Sequence, residues 1–250
     1  MTISSARVLL RESLKAFRSS AKTYLLLELV VLPFHIVFGS VISYIFIRFL
    51  SDKNNLPDTS HLVLYIFIIT AIALLLIFIQ TYAQIAIYQT ALDDGKQRNV
   101  WAAYDLAKPF LLPSFKTAIL SGLVVVIGFL LLIVPGIFFS IWFAFSAIMV
   151  ITSNVSGIDA MKKSRELVRG LEWKVFGRLV AFAIPIIILE QAPIYFFDKA
   201  NLAEISTIYG FLLTLFIVPF SVIYSVSLYR DLVSFKASKN SQNPAQISPI

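Results

Sequence analysis

The sequence predicts an all-α polytopic membrane protein with six transmembrane helices and with amphipathic interfacial helices before spans one, three and five. The first observation is composition: 58% of the residues are hydrophobic and only 14% are charged, outside the usual range of soluble domains. The second is a series of apolar runs of about 20 residues, each long enough to cross ~30 Å of hydrocarbon. The third is that the cations are concentrated in alternate connections between these runs.

Six spans follow from the apolar runs, and polar residues, glycine or proline separate them. They cover residues 24–50, 61–92, 114–134, 137–154, 174–196 and 206–229. The second span has about 32 residues and a length of ~48 Å, so its end near Gly95 is expected to project into water. Spans three and four are joined only by the apolar VPG around Pro135 and Gly136, which predicts a tight hairpin there.

Amphipathic segments are predicted before three of the spans, at residues 4–20, at residues 99–110 and from Ser156 onwards. Their placement suggests three repeated units, each a surface helix followed by a transmembrane hairpin. Residues 1–233 then form a single integral membrane domain. Residues 234–250 are predicted to be a disordered cytoplasmic tail, because they are mostly polar and have no periodicity.

The segment after Ser156 has the clearest amphipathic pattern. Its charged and apolar side chains separate onto opposite faces of an α-helix. Ser156 lies three residues before Asp159, which predicts a capping box at the start of this helix. The charged face comprises Asp159, Lys162, Lys163, Glu166 and Arg169, and the apolar face comprises Ala160, Met161, Leu167, Val168 and Leu171.

Lys and Arg in short loops determine the orientation of a membrane protein, since loops rich in them stay in the cytoplasm. The chain has 21 such cations, and all but Arg48, Lys53 and Lys199 fall on the side that holds both termini. Both termini are therefore expected to be cytoplasmic.

Residues 132–180 carry a recognisable pattern: an apolar span with Pro-Gly, a second span, then a Gly-x-x-Ala-hydroxyl-Arg loop that leads through a Gly and an aromatic residue into the next span. This pattern resembles the membrane domain of glycerophosphoryl diester phosphodiesterases and related six-span proteins of prokaryotic inner membranes. The resemblance implies an all-helical bundle in the inner membrane, but no phosphodiesterase activity, because the catalytic barrel of the fused members has no counterpart in these residues. The matching positions are Pro135, Gly136, Gly157, Ala160, Ser164, Arg165, Leu167, Gly170, Trp173, Phe176 and Gly177.

The sequence contains no recognisable arrangement for catalysis, for a cofactor or for a metal. It has no Cys, and its only His residues, His35 and His61, lie outside any nucleophile or metal-ligand pattern. Asp93 and Asp94 are adjacent and splay apart on a helix, so a solvated helix end is expected there. Topology explains the net charge of +7, so nucleic-acid binding is not expected.

Polar side chains at membrane depth form the first candidate site, because an ionised group near the centre of a span costs about 2.5–3.5 kcal/mol. One interpretation is a path for a solute or for protons. The other is that the carboxylates lie near the interfaces while the glutamines hydrogen-bond across helices, which stabilises packing by about 1 kcal/mol each. The residues concerned are Glu28, His35, Gln80, Gln84, Glu190 and Gln191.

The basic segment between spans four and five forms the second candidate site. It is predicted either to contact anionic phospholipid or a protein partner, such as a second copy or another membrane protein, or only to fix topology. Its residues are Lys162, Lys163, Arg165, Arg169 and Trp173. We therefore expect a non-enzymatic protein that acts through lipid-facing or partner-facing surfaces in membrane or envelope homeostasis. The alternative is a transporter of small solutes or ions.

Overall fold

A computed structural model describes residues 3–51, 59–94, 99–199 and 202–242 of the chain. The described residues form ten helices and contain no strand. In chain order the helices are α1 (Ala6–Ser19), α2 (Ala21–Leu29), α3 (Leu32–Ser51), α4 (Thr59–Leu92), α5 (Val100–Leu131), α6 (Ile133–Phe143), α7 (Ser146–Ser153), α8 (Ile158–Val168), α9 (Glu172–Lys199) and α10 (Ala203–Gln242).

Six helical segments are long and apolar enough to cross a membrane, which confirms the predicted fold class. Two of them contain a break: the first includes α2 and the start of α3, and the fourth includes α6 and α7. The segments are Ala21–Ile45, Val63–Leu92, Val100–Leu131, Ile133–Ser153, Glu172–Phe197 and Ile208–Lys239.

The buried residues are concentrated at one end of the molecule, which we call the base. Here α1 packs along the C-terminal part of α10, while α7 and α8 pack on α5 and α6. Outside the base, few residues are buried. The α5–α6 hairpin buries Gly128 and Gly136, but no described residue is buried in α3, in α4 before Ala83, in α9 after Val175 or in α10 before Pro219. Three helical hairpins, α3–α4, α5–α6 and α9–α10, therefore extend from a single packed base.

Side-chain hydrogen bonds tie the two chain ends into the base. Asp231 of α10 accepts from the backbone N–H of Ser4 at 2.9 Å and from its hydroxyl at 2.7 Å. Arg178 of α9 donates to the carbonyl oxygens of Ser4 at 2.9 Å and of Ile3 at 3.0 Å. At the end of α4, Arg230 donates to the Asp94 carboxylate at 2.6 Å.

The α5–α6 turn lies at Leu132 rather than at Pro135 and Gly136. Leu132 is extended, with φ −162° and ψ 151°, and Pro135 belongs to the first turn of α6, where its missing N–H costs nothing. A Cβ on Gly136 would lie 2.5 Å from the Phe129 ring of α5. Gly136 is thus needed for the close approach of the two helices, not for a turn.

The predicted fourth span is broken between α6 and α7, at Ala144 and Phe145. At this break the buried Ser164 hydroxyl of α8 accepts from the Phe145 N–H at 3.1 Å and donates to the Trp142 carbonyl at 2.6 Å. A side chain from another helix thus replaces the backbone hydrogen bonds that a continuous helix would make, which accounts for the break.

Two of the three predicted interfacial helices are separate elements, α1 and α8. The segment before span three is helical too, but it continues without a break into the span as α5. Its first turns are held against α4: the Tyr82 hydroxyl donates to the Tyr104 carbonyl at 2.9 Å, and the Gln89 amide donates to the Leu106 carbonyl at 2.9 Å. These bonds hold the start of α5 against α4, and the helix continues without a break through its two internal prolines.

The predicted disorder of the C-terminal segment is wrong for residues 234–242, which continue α10 as far as Gln242. Phe235 packs against the buried core, and the Lys236 ammonium donates to the carbonyl of Glu166 in α8. These contacts stabilise a polar sequence that has no helical periodicity of its own. Residues 243–250 lie outside the described residues.

Candidate functional site

The start of α8 is set by Gly157, not by the predicted Ser156 capping box. Gly157 has φ 58° and ψ −127°, a conformation that other residues rarely adopt, and no side chain caps the helix. Its N–H instead donates to the Thr117 hydroxyl of α5 at 2.7 Å. Gly157 therefore fixes where α8 leaves α7 and holds its first turn against α5.

The two faces of α8 are those that the sequence predicts. The apolar residues Ala160, Met161, Leu167, Val168 and Leu171 are buried, whereas the five charged residues of the other face are exposed. The Lys162 ammonium lies 3.7 Å from the Asp159 carboxylate. Asp159 therefore pairs with Lys162, three positions on, and not with Lys163. The charged face of α8 thus forms part of the surface of the base.

A cleft of about 350 Å³ lies between α6, the charged face of α8 and the start of α9. The Arg165 guanidinium stacks over the Trp142 ring, 4.2 Å from its centroid. Cation–π contacts of this kind contribute about 0.5–1 kcal/mol at exposed sites. The cleft, which we call the basic cleft, is lined by Trp142, Lys162, Arg165, Glu166, Arg169 and Glu172.

Three cations and two carboxylates line the basic cleft, and one of the cations, Lys162, is also paired with Asp159 outside the cleft lining. The Glu172 carboxylate accepts a hydrogen bond from the N–H of Gly170 at 3.1 Å, so part of its acceptor capacity is used within the loop. Gly170 has φ 80°, which favours glycine at this turn. The two arginines of the lining can each donate hydrogen bonds to an anionic group in the cleft.

An aromatic cluster lies beside the basic cleft. Trp173 is exposed and packs edge-on against Phe138 of α6, with centroids 5.7 Å apart, and against Phe176 of α9, with centroids 5.8 Å apart. Exposed Trp side chains are favoured at the boundary between headgroups and hydrocarbon. Charged and aromatic groups therefore lie side by side on this surface.

The structure places the predicted basic residues in different positions around this cleft. Lys162, Arg165 and Arg169 line it, and Trp173 borders it, whereas Lys163 is exposed on α8 outside it. Sequence reasoning missed Trp142 and Glu172, which belong to other helices. No local spacing signals these contacts, because the packing of α6 and α9 against α8 creates them.

The polar residues predicted at membrane depth divide into two separate groups. In the first group, the amide nitrogen of Gln80 donates to Oε1 of Glu28 at 3.3 Å, and Glu28 is only 4% exposed. Neither Oε2 of Glu28 nor Oε1 of Gln80 has a hydrogen-bond partner among the described residues. His35, one helical turn beyond the α2–α3 break, contacts the Val31 carbonyl at 3.2 Å, and Gln84 lies partly buried one turn along α4.

The second polar group is at the far end of α9. Glu190 is partly buried and Gln191 is exposed, and both line an open cavity of about 440 Å³ between α9 and α10. Beside it, the Tyr209 hydroxyl donates to the Leu189 carbonyl at 2.7 Å. The lining of this cavity does not include Glu28 or Gln80, so the predicted polar residues do not share one site there.

Several residues of the family-like pattern have a structural role. Gly157 and Gly170 have positive φ, Gly136 allows α5 and α6 to approach, and Ser164 joins α8 to the α6–α7 break. Ala160 is fully buried. Gly177 differs, since a Cβ there would meet no atom within 4 Å, and nothing in the structure explains a glycine at that position.

Among the described residues, no group of three or more His, Asp or Glu side chains is arranged to hold a metal ion. Comparison of the chain with protein-family models, with curated proteins and with solved structures finds no match. The resemblance to the membrane domain of glycerophosphoryl diester phosphodiesterases therefore stays a prediction.

Proposed function

We propose that this protein is a non-enzymatic component of a prokaryotic cytoplasmic membrane, with both termini in the cytoplasm, and that it binds the headgroup of an anionic phospholipid in the basic cleft. One observation carries this proposal: Lys162, Arg165 and Arg169 line one cleft together with Trp142. An anionic lipid there would place its phosphodiester among the cations and its acyl chains beside Trp173 and α6.

The energetics favour a lipid over a soluble anion. Each cation near an anionic membrane surface contributes about 1 kcal/mol, and Glu166 and Glu172 offset part of the contribution of the three cations. Charge alone therefore gives modest affinity, which a free phosphate would share. A lipid adds burial of apolar surface along the neighbouring aromatic side chains, at about 0.8 kcal/mol for each buried CH₂. The cations of the cleft and the aromatic side chains beside it would therefore retain a lipid together, which fits a role in membrane or envelope homeostasis.

The test compares two variants in purified protein. Changing Lys162 and Arg169 together to Gln removes two cations from the cleft, while Lys163→Gln removes one exposed cation from the same helix outside it. Native mass spectrometry at matched detergent should show lower occupancy by phosphatidylglycerol or cardiolipin in the double variant and wild-type occupancy in the control. Added inorganic phosphate should not displace the lipid.

Equal lipid occupancy in the double variant and the Lys163→Gln control would show that the basic segment only fixes topology. Displacement of the lipid by inorganic phosphate would instead point to a soluble anion as the ligand. Arg165 is left unchanged here because it stacks on Trp142 and its loss is expected to lower stability.

A transporter is the second candidate function, and the pair Glu28–Gln80 favours it. Each of these side chains has a buried oxygen without a hydrogen-bond partner among the described residues, and such groups at membrane depth often mark ion or proton paths. If the protein transports, Glu28→Gln or Glu190→Gln should reduce solute or proton flux in reconstituted vesicles while stability hardly changes. Unchanged flux in both variants would remove the reason for this candidate.

A further inference from the structure

We propose that the α5–α6 hairpin enters the membrane only to about its midplane, and that its tip packs among the acyl chains of the leaflet next to the base. The tip is the surface formed by residues 130–134. These five side chains are 62–80% exposed, and the sequence from Gly122 to Phe139 contains no polar side chain. The occupant of this surface is therefore lipid hydrocarbon.

The length of α6 supplies the first measure of depth. Its C-terminal end is fixed at the charged surface, because Trp142 lines the basic cleft and lies under Arg165. From Trp142 back to the turn at Leu132 there are ten residues, which span about 15 Å of helix. This is about half of the ~30 Å that a transmembrane helix must cross.

The other arm of the hairpin gives a similar result. On α5, Thr117 lies at the level of the α7–α8 loop, since its hydroxyl accepts from the Gly157 N–H at 2.7 Å. The fourteen residues from Thr117 to Leu131 span about 21 Å. Both arms therefore end short of the far surface of the bilayer.

The length of α9 provides a comparison, because α9 begins beside the basic cleft, where α6 ends. Glu172, its first residue, lines the basic cleft together with Trp142. From there α9 runs to Lys199, a length of about 40 Å at the α-helical rise. The tip of the α5–α6 hairpin therefore stops roughly 20–25 Å before the far end of α9.

The base, not the membrane, accommodates the rest of the fourth segment. After the break, α7 buries Ser146, Ile148, Met149 and Val150. The Tyr229 hydroxyl contacts the Thr152 hydroxyl at 3.4 Å, and the next residue of α10, Arg230, binds Asp94 at the end of α4. Helix α7 therefore lies at the depth of an exposed ion pair and does not extend the span.

The composition of the connections agrees with this depth. The other two hairpins turn through polar segments, SDKNNLPDTS and DKANLAE, as expected where a chain emerges into water. The α5–α6 turn, FLLLIVPG, would expose five large apolar side chains to water if it emerged on the far side. A tip within the hydrocarbon avoids this cost.

The test uses single cysteines, since the chain has none of its own. Ile133→Cys and Leu130→Cys place a thiol at the tip, Lys199→Cys marks the far side, and Lys163→Cys marks the side of the base. A membrane-impermeant maleimide is applied from each side of sealed vesicles. We expect both tip cysteines to react several-fold less than the marker on either side, and to react fully after solubilisation in detergent.

A fluorophore attached to the tip cysteine then reports depth. Nitroxide groups at the ends of the acyl chains should quench it more strongly than nitroxides near the headgroups. Labelling from the far side as fast as Lys199→Cys would show that the hairpin crosses the bilayer. Labelling from the base side as fast as Lys163→Cys, or stronger quenching near the headgroups, would show that it lies at the surface, and either result overturns the proposal.

Discussion

Replacing Ser164 by Ala should destabilise the protein by about 2–3 kcal/mol, because the Ser164 hydroxyl joins α8 to the break between α6 and α7. The hydroxyl is fully buried, accepts from the Phe145 N–H and donates to the Trp142 carbonyl. A buried N–H left without a partner costs about 1–3 kcal/mol, and the lost bond to the carbonyl adds about 0.5–1.5 kcal/mol.

Ser140→Ala is the matched control. Ser140 lies on α6 as well, but it is exposed and its hydroxyl donates to the Gly136 carbonyl of its own helix at 2.8 Å. Surface substitutions of this kind usually change stability by less than about 0.5 kcal/mol. Thermal unfolding in detergent, followed by circular dichroism, should give a Tm about 5–10 °C lower for Ser164→Ala and a wild-type Tm for Ser140→Ala.

The same substitution should also weaken lipid retention, since Ser164 positions the turn of α8 that carries Arg165 over Trp142. A Tm of Ser164→Ala equal to that of Ser140→Ala would refute the claim that this hydroxyl maintains the helix break. The break would then have to arise within the α6–α7 sequence itself.

Three further predictions concern stability. Gly136→Ala should lower Tm by several degrees, because the added Cβ would lie 2.5 Å from an aromatic ring. The control, Gly177→Ala, adds a Cβ in open space and should leave Tm unchanged or raise it. Equal changes in Tm would contradict the close approach of α5 and α6. Tyr104→Phe should cost about 1–2 kcal/mol by removing a buried 2.6 Å hydrogen bond to α2, and a wild-type Tm would contradict this role. Glu28→Gln should not destabilise, because its amide can donate to the unpartnered oxygen of Gln80, and a clear loss of Tm would show that the carboxyl itself is required.

The sequence predicted the elements whose signals are local. Apolar runs predicted six membrane-compatible segments, and helical periodicity predicted both faces of α8 down to the buried Ala160 and the exposed Lys162. These predictions succeed because burial of an apolar face dominates helix placement, and that face is visible in a single segment.

The sequence did not predict features that depend on contacts between helices. Ser164 of α8 bonds to the backbone at the break near Phe145, and Lys236 of the C-terminal segment donates to the Glu166 carbonyl. In the candidate site the basic residues were predicted from charge and rotation, but the contribution of Trp142 was not. Its ring meets Arg165 only because α6 ends where α8 crosses it.

The division into base and hairpins also indicates which substitutions should affect stability and which should affect the membrane. Buried apolar side chains in the base are removed from water on folding, so the hydrophobic effect stabilises this part. Within lipid that driving force between helices is absent, and close packing must replace it. The approach of Gly128 and Gly136 supplies such packing in the α5–α6 hairpin. Substitutions in the base should therefore change the free energy of unfolding. Substitutions of exposed hairpin residues such as Leu130 should change only the position of the hairpins in the lipid.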